Sequence, residues 1–131
     1  MLWDPRMSKQ LKVTNRGWAG HFICAHRCRF RLNTLIEYGD IRIVVSTVGG
    51  MEHPLKEGKF DTIGLNRHYE TMAFRAKFDG TFWDADVQRQ VYFDSEWAYP
   101  NLEDELAAND GHYKVVDEIS EGLLAGDTYE N

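Results

Sequence analysis

The stretch from Phe22 to Ile36 constrains the fold more than any other part of the chain, because it alternates with a period of two. Its even positions are mostly apolar, whereas its odd positions include the polar side chains Arg27, Arg29, Arg31 and Asn33. This alternation is the pattern of a β-strand that has one face in a core. The stretch is longer than the usual strand of about five or six residues, so we expect a bend near His26.

A tight turn fixes the register of a first predicted hairpin. Gly39-Asp40 fits a two-residue type II′ turn, in which the first central residue has a positive φ. Glu37 then faces Arg42 across the ladder, while the apolar residues of both strands share the other face. A cross-strand charge pair stabilises a sheet by about 0.2–1 kcal/mol, and a slip of one residue would reverse every face.

A second hairpin is predicted at Asp79-Gly80, a dipeptide suited to a type I′ turn. In the register that this turn sets, Phe74 faces Ala85 on an apolar surface. Arg75 faces Asp84 on the opposite surface, again as a charge pair. We expect the apolar surfaces of the two hairpins to form one continuous face.

From Asn101 the hydrophobic period becomes that of a helix. Asn101 is a suitable N-cap, the following carboxylates favour a first turn, and Gly126 is a suitable stop. Residues 109–111, Asn-Asp-Gly, could divide the helix into two pieces. The predicted apolar stripe consists of Leu102, Leu106, Tyr113, Val116, Ile119 and Leu123.

These patterns predict one α+β domain over residues 1–131, an antiparallel sheet of about five strands with two tight hairpins and a C-terminal helix packed on one face. Residues 1–9 form a leader that we expect to be flexible. The sequence contains neither a signal peptide nor about 18 consecutive apolar residues, so we expect a soluble cytoplasmic protein without a membrane partner. The oligomeric state stays open.

The net charge of −6 is divided unevenly along the chain. Residues 94–131 hold eleven carboxylates and one lysine, whereas residues 1–93 hold fourteen basic and ten acidic side chains. An acidic helix either keeps a protein soluble or docks on a basic surface of a partner protein. The candidate binding residues of this region are Trp97, Tyr99, Glu103, Asp104 and Glu105. The two aromatic rings also fit a plainer role, sealing the junction between sheet and helix.

The two registers also place five cations on the sheet face that we expect to be open, namely Arg29, Arg31, Arg42, Arg75 and Lys77. Such a face can contact phosphate groups, and neighbouring aromatic rings can stack bases, so nucleic-acid binding is an alternative function. The acidic overall charge speaks against it, because most nucleic-acid binders are basic.

The segment from Met51 to Gly64 has no regular period and contains Pro54 and Gly58. We interpret it as a loop of about a dozen residues. Loops of that length often carry function, so we expect a binding loop here.

A metal site is a further alternative, because Cys24, His26 and Cys28 are ligand types that project to one face of a strand. Three alternating side chains of one strand spread over about 13 Å, however, and cannot all reach one ion. Two reduced core cysteines and a hydrogen-bonded histidine are the plainer interpretation. We therefore expect no metal and no cofactor.

An acid/base site is the remaining chemical alternative. The predicted register places Glu70 opposite Arg89 on the apolar side, where His26 is also expected, and a buried histidine beside a carboxylate can act as a general base. The sequence contains no nucleophile elbow, no phosphate-binding glycine loop and no His-Glu-x-x-His motif. An enzyme is thus less expected than a binding protein.

Three phrases resemble small uncharacterised proteins encoded by bacteriophages and prophages: residues 16–24 (RGWAGHFIC), 46–49 (STVG) and 69–74 (YETMAF). The resemblance extends over most of residues 16–123 and brings no activity or site residue with it. It implies a small accessory protein of a mobile element, acting in the cytoplasm of a bacterial host. Because such proteins often bind host proteins, including defence proteins, we expect a non-catalytic protein that binds and inhibits a host macromolecule.

Overall fold

The computed structural model describes residues 9–17, 25–64, 66–91 and 97–130. Within these residues the chain forms seven β-strands and one α-helix, with short 3-10 helices at Ala25–Arg27 and Leu102–Asp104. The elements are β1 (Lys12–Arg16), β2 (Cys28–Tyr38), β3 (Ile41–Glu52), β4 (Phe60–Asp61), β5 (Tyr69–Phe78), β6 (Trp83–Val91), β7 (Ala98–Tyr99) and α1 (Glu105–Leu124).

All strand pairs are antiparallel. The main path of the sheet runs in the order β1-β2-β3-β5-β6, while β4 pairs with β3 and β7 pairs with β5. Helix α1 packs against β2, β3 and β5. The predicted α+β class, an antiparallel sheet with a C-terminal helix on one face, is confirmed.

The first hairpin is confirmed in both its turn and its register. Tyr38 pairs with Ile41, which leaves Gly39 and Asp40 as the two turn residues, and Gly39 has φ 62°, the sign that a type II′ turn needs there. The side chains of Glu37 and Arg42 form a salt bridge of 3.0 Å. The bend expected near His26 is also present, because the 3-10 helix Ala25–Arg27 precedes β2.

The predicted register of the second hairpin is wrong. Phe78 pairs with Trp83, and Asp84 lies opposite Lys77 rather than opposite Arg75. The cause lies in the turn, where Oδ1 of Asp79 accepts hydrogen bonds from the backbone amides of Thr81 at 2.8 Å and Phe82 at 2.9 Å. These bonds lower the pKa of Asp79 and hold a four-residue connection instead of a type I′ turn.

A β-bulge shifts the second hairpin again. The register changes between Phe74 and Ala76, so that Ala76 pairs with Ala85 but Phe74 pairs with Gln90. A bulge adds residues to one strand and changes which side chains share a face. Glu70 does not lie opposite Arg89, as predicted, because its partners are Val48 in β3 and Ala98 in β7.

The pairing of β3 with β5 decides how the faces of the two hairpins combine. Val44 pairs with Phe74, and Ile43 pairs with Arg75. Since Ile43 belongs to the core beneath α1, Phe74 lies on the opposite face of the sheet. The expectation of one continuous apolar face is therefore wrong, because the apolar surfaces of the two hairpins lie on opposite faces of the sheet.

Both faces of the sheet consequently contribute to a core. The core between sheet and α1 contains Ile36, Ile43, Val45, Ala73, Val91, Val115, Val116, Ile119 and Leu123. The core on the opposite face contains Leu35, Val44, Phe74, Ala76 and Ala85, with Met72 and Trp83 packed against it.

Arg16 reveals how strongly the sheet curls around this second core. Its Nη1 donates to the carbonyl oxygen of Trp83, and its Nε donates to Oδ1 of Asn33 at 2.9 Å. β1 and β6 are the outermost strands of the five-strand path, which in a flat sheet would lie about 19 Å apart, or four spacings of about 4.8 Å. A side chain cannot span that distance, so the sheet curls until its two edges meet at Arg16.

The helix ends follow the sequence signals. The amide of Asn101 donates to Oδ2 of Asp104 at 3.0 Å, which is half of a capping box. At the other end Gly126 has φ 103°, and the amide of Asp127 donates to the carbonyl of Gly122 at 2.8 Å, a Schellman motif.

Two details of the predicted helix are wrong. The helix runs unbroken through Gly111, where a Cβ atom would meet the hydroxyl of Tyr99 at 1.7 Å. Leu106 and Tyr113 are exposed rather than buried. Val116, Ile119 and Leu123 of the predicted stripe are buried as expected, and they are joined by Ala108, His112, Val115 and Ser120.

Candidate binding surfaces and a buried polar chain

The structure does not bring the candidate catalytic residues together. His26 is exposed in the 3-10 helix before β2, and Arg89 is exposed on β6. Glu70 forms a salt bridge of 3.4 Å with Arg67. Arg89 instead borders a cleft of about 190 Å³ that it shares with Arg75, Gln88, Tyr129 and Glu130.

The candidate metal ligands have different surroundings. Cys28 is buried in a small apolar cluster with Val48, Met51 and Ile63, whereas His26 faces solvent. Cys24 lies outside the described residues. Across the described ranges, three or more His, Cys, Asp or Glu side chains are nowhere close enough to hold one ion.

The five predicted cations do not share one face of the sheet. Arg42 lies on the face of the second core, where its guanidinium stacks on the ring of Trp83 with 4.3 Å to the ring centroid. Arg75 lies on the face of α1 and donates to the carbonyl of Thr128 at 2.7 Å, and Lys77 follows it on the same strand face. The predicted arginine-rich face, Arg29 and Arg31 together with these three, is therefore divided.

The aromatic residues before α1 lie at the junction of sheet and helix. Trp97 packs against the core beneath α1, and Tyr99 lies on Gly111. Burial and the nearby Asp110 raise the pKa of Tyr99. Of the carboxylates beside them, Glu103 and Glu105 are exposed, while Asp104 caps the 3-10 helix.

One line of side chains along α1 faces away from the sheet. It consists of Leu106, Asp110, Tyr113, Asp117, Glu121 and Leu124, spaced by three or four residues, and we call it the acidic ridge. Its three apolar members keep 73%, 38% and 58% of their surface exposed, in chain order. The carboxylates named from the sequence, Glu103, Asp104 and Glu105, lie outside this ridge. Leu106 and Tyr113 were predicted to be core residues.

The predicted binding loop is a β-hairpin with a cleft. Glu52 pairs with Phe60, so residues 53–59 form the loop between β3 and β4. A cleft of about 520 Å³ opens beside this loop. We call this cleft the hairpin cleft. It is lined by Arg29, Glu52, His53, Lys56, Glu57, Gly58, Lys59 and Phe60.

A buried histidine that the sequence did not single out as a core residue connects α1 to the sheet. The side chain of His112 is fully buried, and its two ring nitrogens contact strands on either side. Nε2 lies 2.8 Å from Oγ1 of Thr34, and Nδ1 lies 2.7 Å from Oγ1 of Thr47. Thr47 in turn lies 2.7 Å from Oγ1 of Thr71.

The donor and the acceptor of each hydrogen bond in this series of side chains can be assigned, starting from Asn15. Oγ1 of Thr34 donates its proton to Oδ1 of Asn15 at 2.9 Å, so it accepts from Nε2 of His112. In a neutral imidazole Nδ1 is then an acceptor, and Thr47 donates to it while accepting from Thr71. All of these hydrogen bonds can form while the imidazole of His112 is neutral. Burial lowers the pKa of His112 to about 4.

Comparisons with protein-family models, with curated proteins and with solved structures gave no match. Among the described residues, α1 is too polar to cross a lipid bilayer and no other helix reaches the necessary length.

Proposed function

We propose that this protein acts by binding another protein through the acidic ridge of α1, as a non-catalytic accessory protein of the bacteriophage type. The observation that carries the proposal is the alignment of Leu106, Tyr113 and Leu124 on the solvent side of the helix. Single exposed apolar residues are ordinary on protein surfaces. Three large ones in one line, spanning about 27 Å at a rise of 1.5 Å per residue, suit a helix that enters a groove.

The charges of the ridge specify the chemistry of the partner. Asp110, Asp117 and Glu121 lie between the apolar side chains, and Lys114 is the cationic residue of the same helix. A complementary groove therefore has an apolar floor and lysine or arginine side chains at its rim. Burial of one leucine side chain contributes about 1.5–3 kcal/mol, so the apolar residues supply affinity while the carboxylates supply orientation and association rate.

The rigidity of α1 supports the same role. His112, Ile119 and Leu123 anchor the opposite side of the helix in the core, and all three are almost fully buried. A ridge held on such a helix binds without the cost of ordering its backbone. The expected partner is a basic protein of the bacterial host, and its inhibition follows if the ridge occupies a functional groove.

A photo-crosslinking amino acid at Leu106 tests the proposal. We expect crosslinking in a host lysate to one basic protein, which is then purified for titration. The double variant L106D/L124D should weaken binding of that protein by about 100-fold or more, since it removes two buried anchors. V87D is the matched control, because Val87 is 57% exposed on β6, outside the ridge.

Two results would contradict the proposal. One is crosslinking only to a second copy of this chain, and the other is equal affinity of L106D/L124D and the wild type for the purified partner. The strength of binding should also fall with added salt, because the carboxylates act through charge.

A further inference from the structure

We infer that the hairpin cleft binds a nucleoside phosphate, with the phosphate held by lysine side chains and the base stacked on Arg29. This inference does not depend on the acidic ridge, which lies on α1. The volume of about 520 Å³ lies within the range of small-molecule sites, about 300–1,000 Å³, and is larger than a phosphate ion alone requires.

The cleft is held open by hydrogen bonds within the hairpin. Nδ1 of His53 accepts from the amides of Leu55 and Lys56, both at 3.0 Å. The amide of His53 donates to the carbonyl of Lys59 at 2.8 Å, and that of Lys59 donates back to Lys56 at 3.2 Å. These bonds fix the loop in one shape, so a ligand finds a formed site.

Arg27, in the 3-10 helix that precedes β2, fixes the base of the hairpin. Its guanidinium donates twice to the carbonyl of Glu52, at 2.8 and 3.1 Å, and to Oδ2 of Asp61 at 2.8 Å. Arg27 is thereby committed to the scaffold. Arg29, two residues further along the chain, lines the cleft and remains exposed.

The charges of the lining favour an anion. Arg29, Lys56 and Lys59 supply three cations against the carboxylates of Glu52 and Glu57, so this cleft is locally positive in a chain of net charge −6. Because Nδ1 of His53 is occupied as an acceptor, the neutral ring carries its proton on Nε2 and adds a neutral donor. Ammonium and guanidinium groups are the usual partners of phosphate.

The aromatic part of the lining favours a planar base beside that phosphate. The guanidinium of Arg29 lies over the ring of Phe60, with 4.8 Å from Cζ to the ring centroid. An arginine plane supported on one side by an aromatic ring offers its other side for stacking, as nucleic-acid binding proteins use arginine. The carboxylates of Glu52 and Glu57 can accept hydrogen bonds from sugar hydroxyl groups.

Titration calorimetry with the full chain tests the site. We expect saturable binding of adenosine monophosphate, at least about tenfold tighter than inorganic phosphate, because the base contributes stacking. A fluorescein-labelled oligo-adenylate of twelve nucleotides distinguishes a free nucleotide from a nucleic-acid strand as the ligand of the cleft. Much tighter binding of the oligonucleotide assigns the cleft to a nucleic-acid strand, and equal binding assigns it to a free nucleotide.

Matched variants tie the binding to the cleft. K56Q/K59Q should lose at least about tenfold in affinity through the removal of two phosphate contacts, and R29A should lose the preference for the nucleotide over phosphate. K12Q/K77Q removes the same charge from exposed positions at the other end of the sheet and should bind as the wild type does. Unfolding curves confirm that each variant is folded.

The inference is overturned if neither nucleotide nor oligonucleotide binds, or if inorganic phosphate binds as tightly as the nucleotide. It is also overturned if K56Q/K59Q and K12Q/K77Q weaken binding equally, since the effect would then be one of net charge alone.

Discussion

Nε2 of His112, on α1, lies 2.8 Å from Oγ1 of Thr34, on β2, and this contact links the helix to the chain of side-chain hydrogen bonds across the sheet. The chain starts at Asn15 on β1 and ends at Thr71 on β5. Four strands and the helix are thus joined through one imidazole. The groups that contact it from the sheet are hydroxyls, so none of them carries a charge that would stabilise an imidazolium.

The protein should lose stability as the pH falls from about 6.5 to 4. His112 has a pKa of about 4 in the fold, below the usual 6.5 of an unfolded histidine. The unfolded chain therefore binds the extra proton in this window, and the free energy of unfolding falls by about 1.4 kcal/mol per pH unit, or about 3 kcal/mol in total. The stabilisation is fully present above pH 6.5.

Urea unfolding at several pH values, for the wild type and H112Q, measures this effect. Carboxylates contribute to both proteins, so the difference in slope between pH 6.5 and 4 isolates His112. An NMR titration provides a second readout that needs no variant: the imidazole of His112 should stay neutral above pH 5. Protonation near pH 6.5 would contradict the assignment.

T47V should lower the free energy of unfolding by about 1–3 kcal/mol. Valine has nearly the same shape as threonine, but it leaves Nδ1 of His112 and the hydroxyl of Thr71 without their partner in a buried position. Urea denaturation measures the change. T14V, a half-buried threonine of β1 outside this chain of hydrogen bonds, is the control and should change stability by less than about 0.5 kcal/mol. Equal effects of both substitutions would argue against the polar chain.

G49A should destabilise the fold severely, by about 3 kcal/mol or more. A Cβ atom at this position would meet the carbonyl oxygen of His68 at 2.4 Å and Cδ1 of the fully buried Tyr69 at 2.1 Å. Tyr69 cannot move away easily, because its hydroxyl donates to the carbonyl of Leu102 at 2.6 Å. Thermal unfolding shows the effect. Gly17 has open space at the same place, so G17A should unfold close to the wild-type temperature.

R16A should open the junction between the two edges of the sheet. The substitution removes the donors to the carbonyl of Trp83 and to Oδ1 of Asn33, at a cost of about 2 kcal/mol. Hydrogen exchange should accelerate in β1 and around Trp83, with smaller changes beneath α1. R31A, which removes an exposed arginine of β2, is the control. Unchanged exchange at both edges would show that the curl does not depend on Arg16.

The sequence predicted the first hairpin because two independent signals agreed, the positive φ available to Gly39 and the charge pair of Glu37 with Arg42. The register of the second hairpin was predicted wrongly because Asp79 can either occupy a two-residue turn or accept hydrogen bonds through its side chain. Its side chain can bond to the amides that follow, and this local competition is not visible in the dipeptide alone. The relative orientation of the two hairpins could not be predicted either. The alternation within each hairpin does not determine how β3 and β5 pair, and that pairing decides which faces of the hairpins lie on the same side of the sheet.

The candidate sites were partly predictable for similar reasons. The segment around His53 was expected to be a binding loop, and it borders the larger of the two clefts described above. The carboxylates of α1 were expected to be exposed, but Leu106 and Tyr113 were assigned to the core on hydrophobicity. The buried side of α1 contains His112 instead of these two residues. The burial of His112 depends on threonines that lie 41 to 78 residues away in the chain. Long-range partners of that kind leave no local signal.

The bridge from Arg16 to Trp83 also protects part of the edge of the sheet. The outermost strands of an open sheet offer unsatisfied amides and carbonyls to strands of other molecules, which is a common route to aggregation. Here the carbonyl of Trp83 is already occupied by a side chain of the opposite margin, and the approach of a foreign strand at that end is obstructed. A single guanidinium thereby gives a curled sheet some of the protection that a closed barrel obtains from a complete ring of strands.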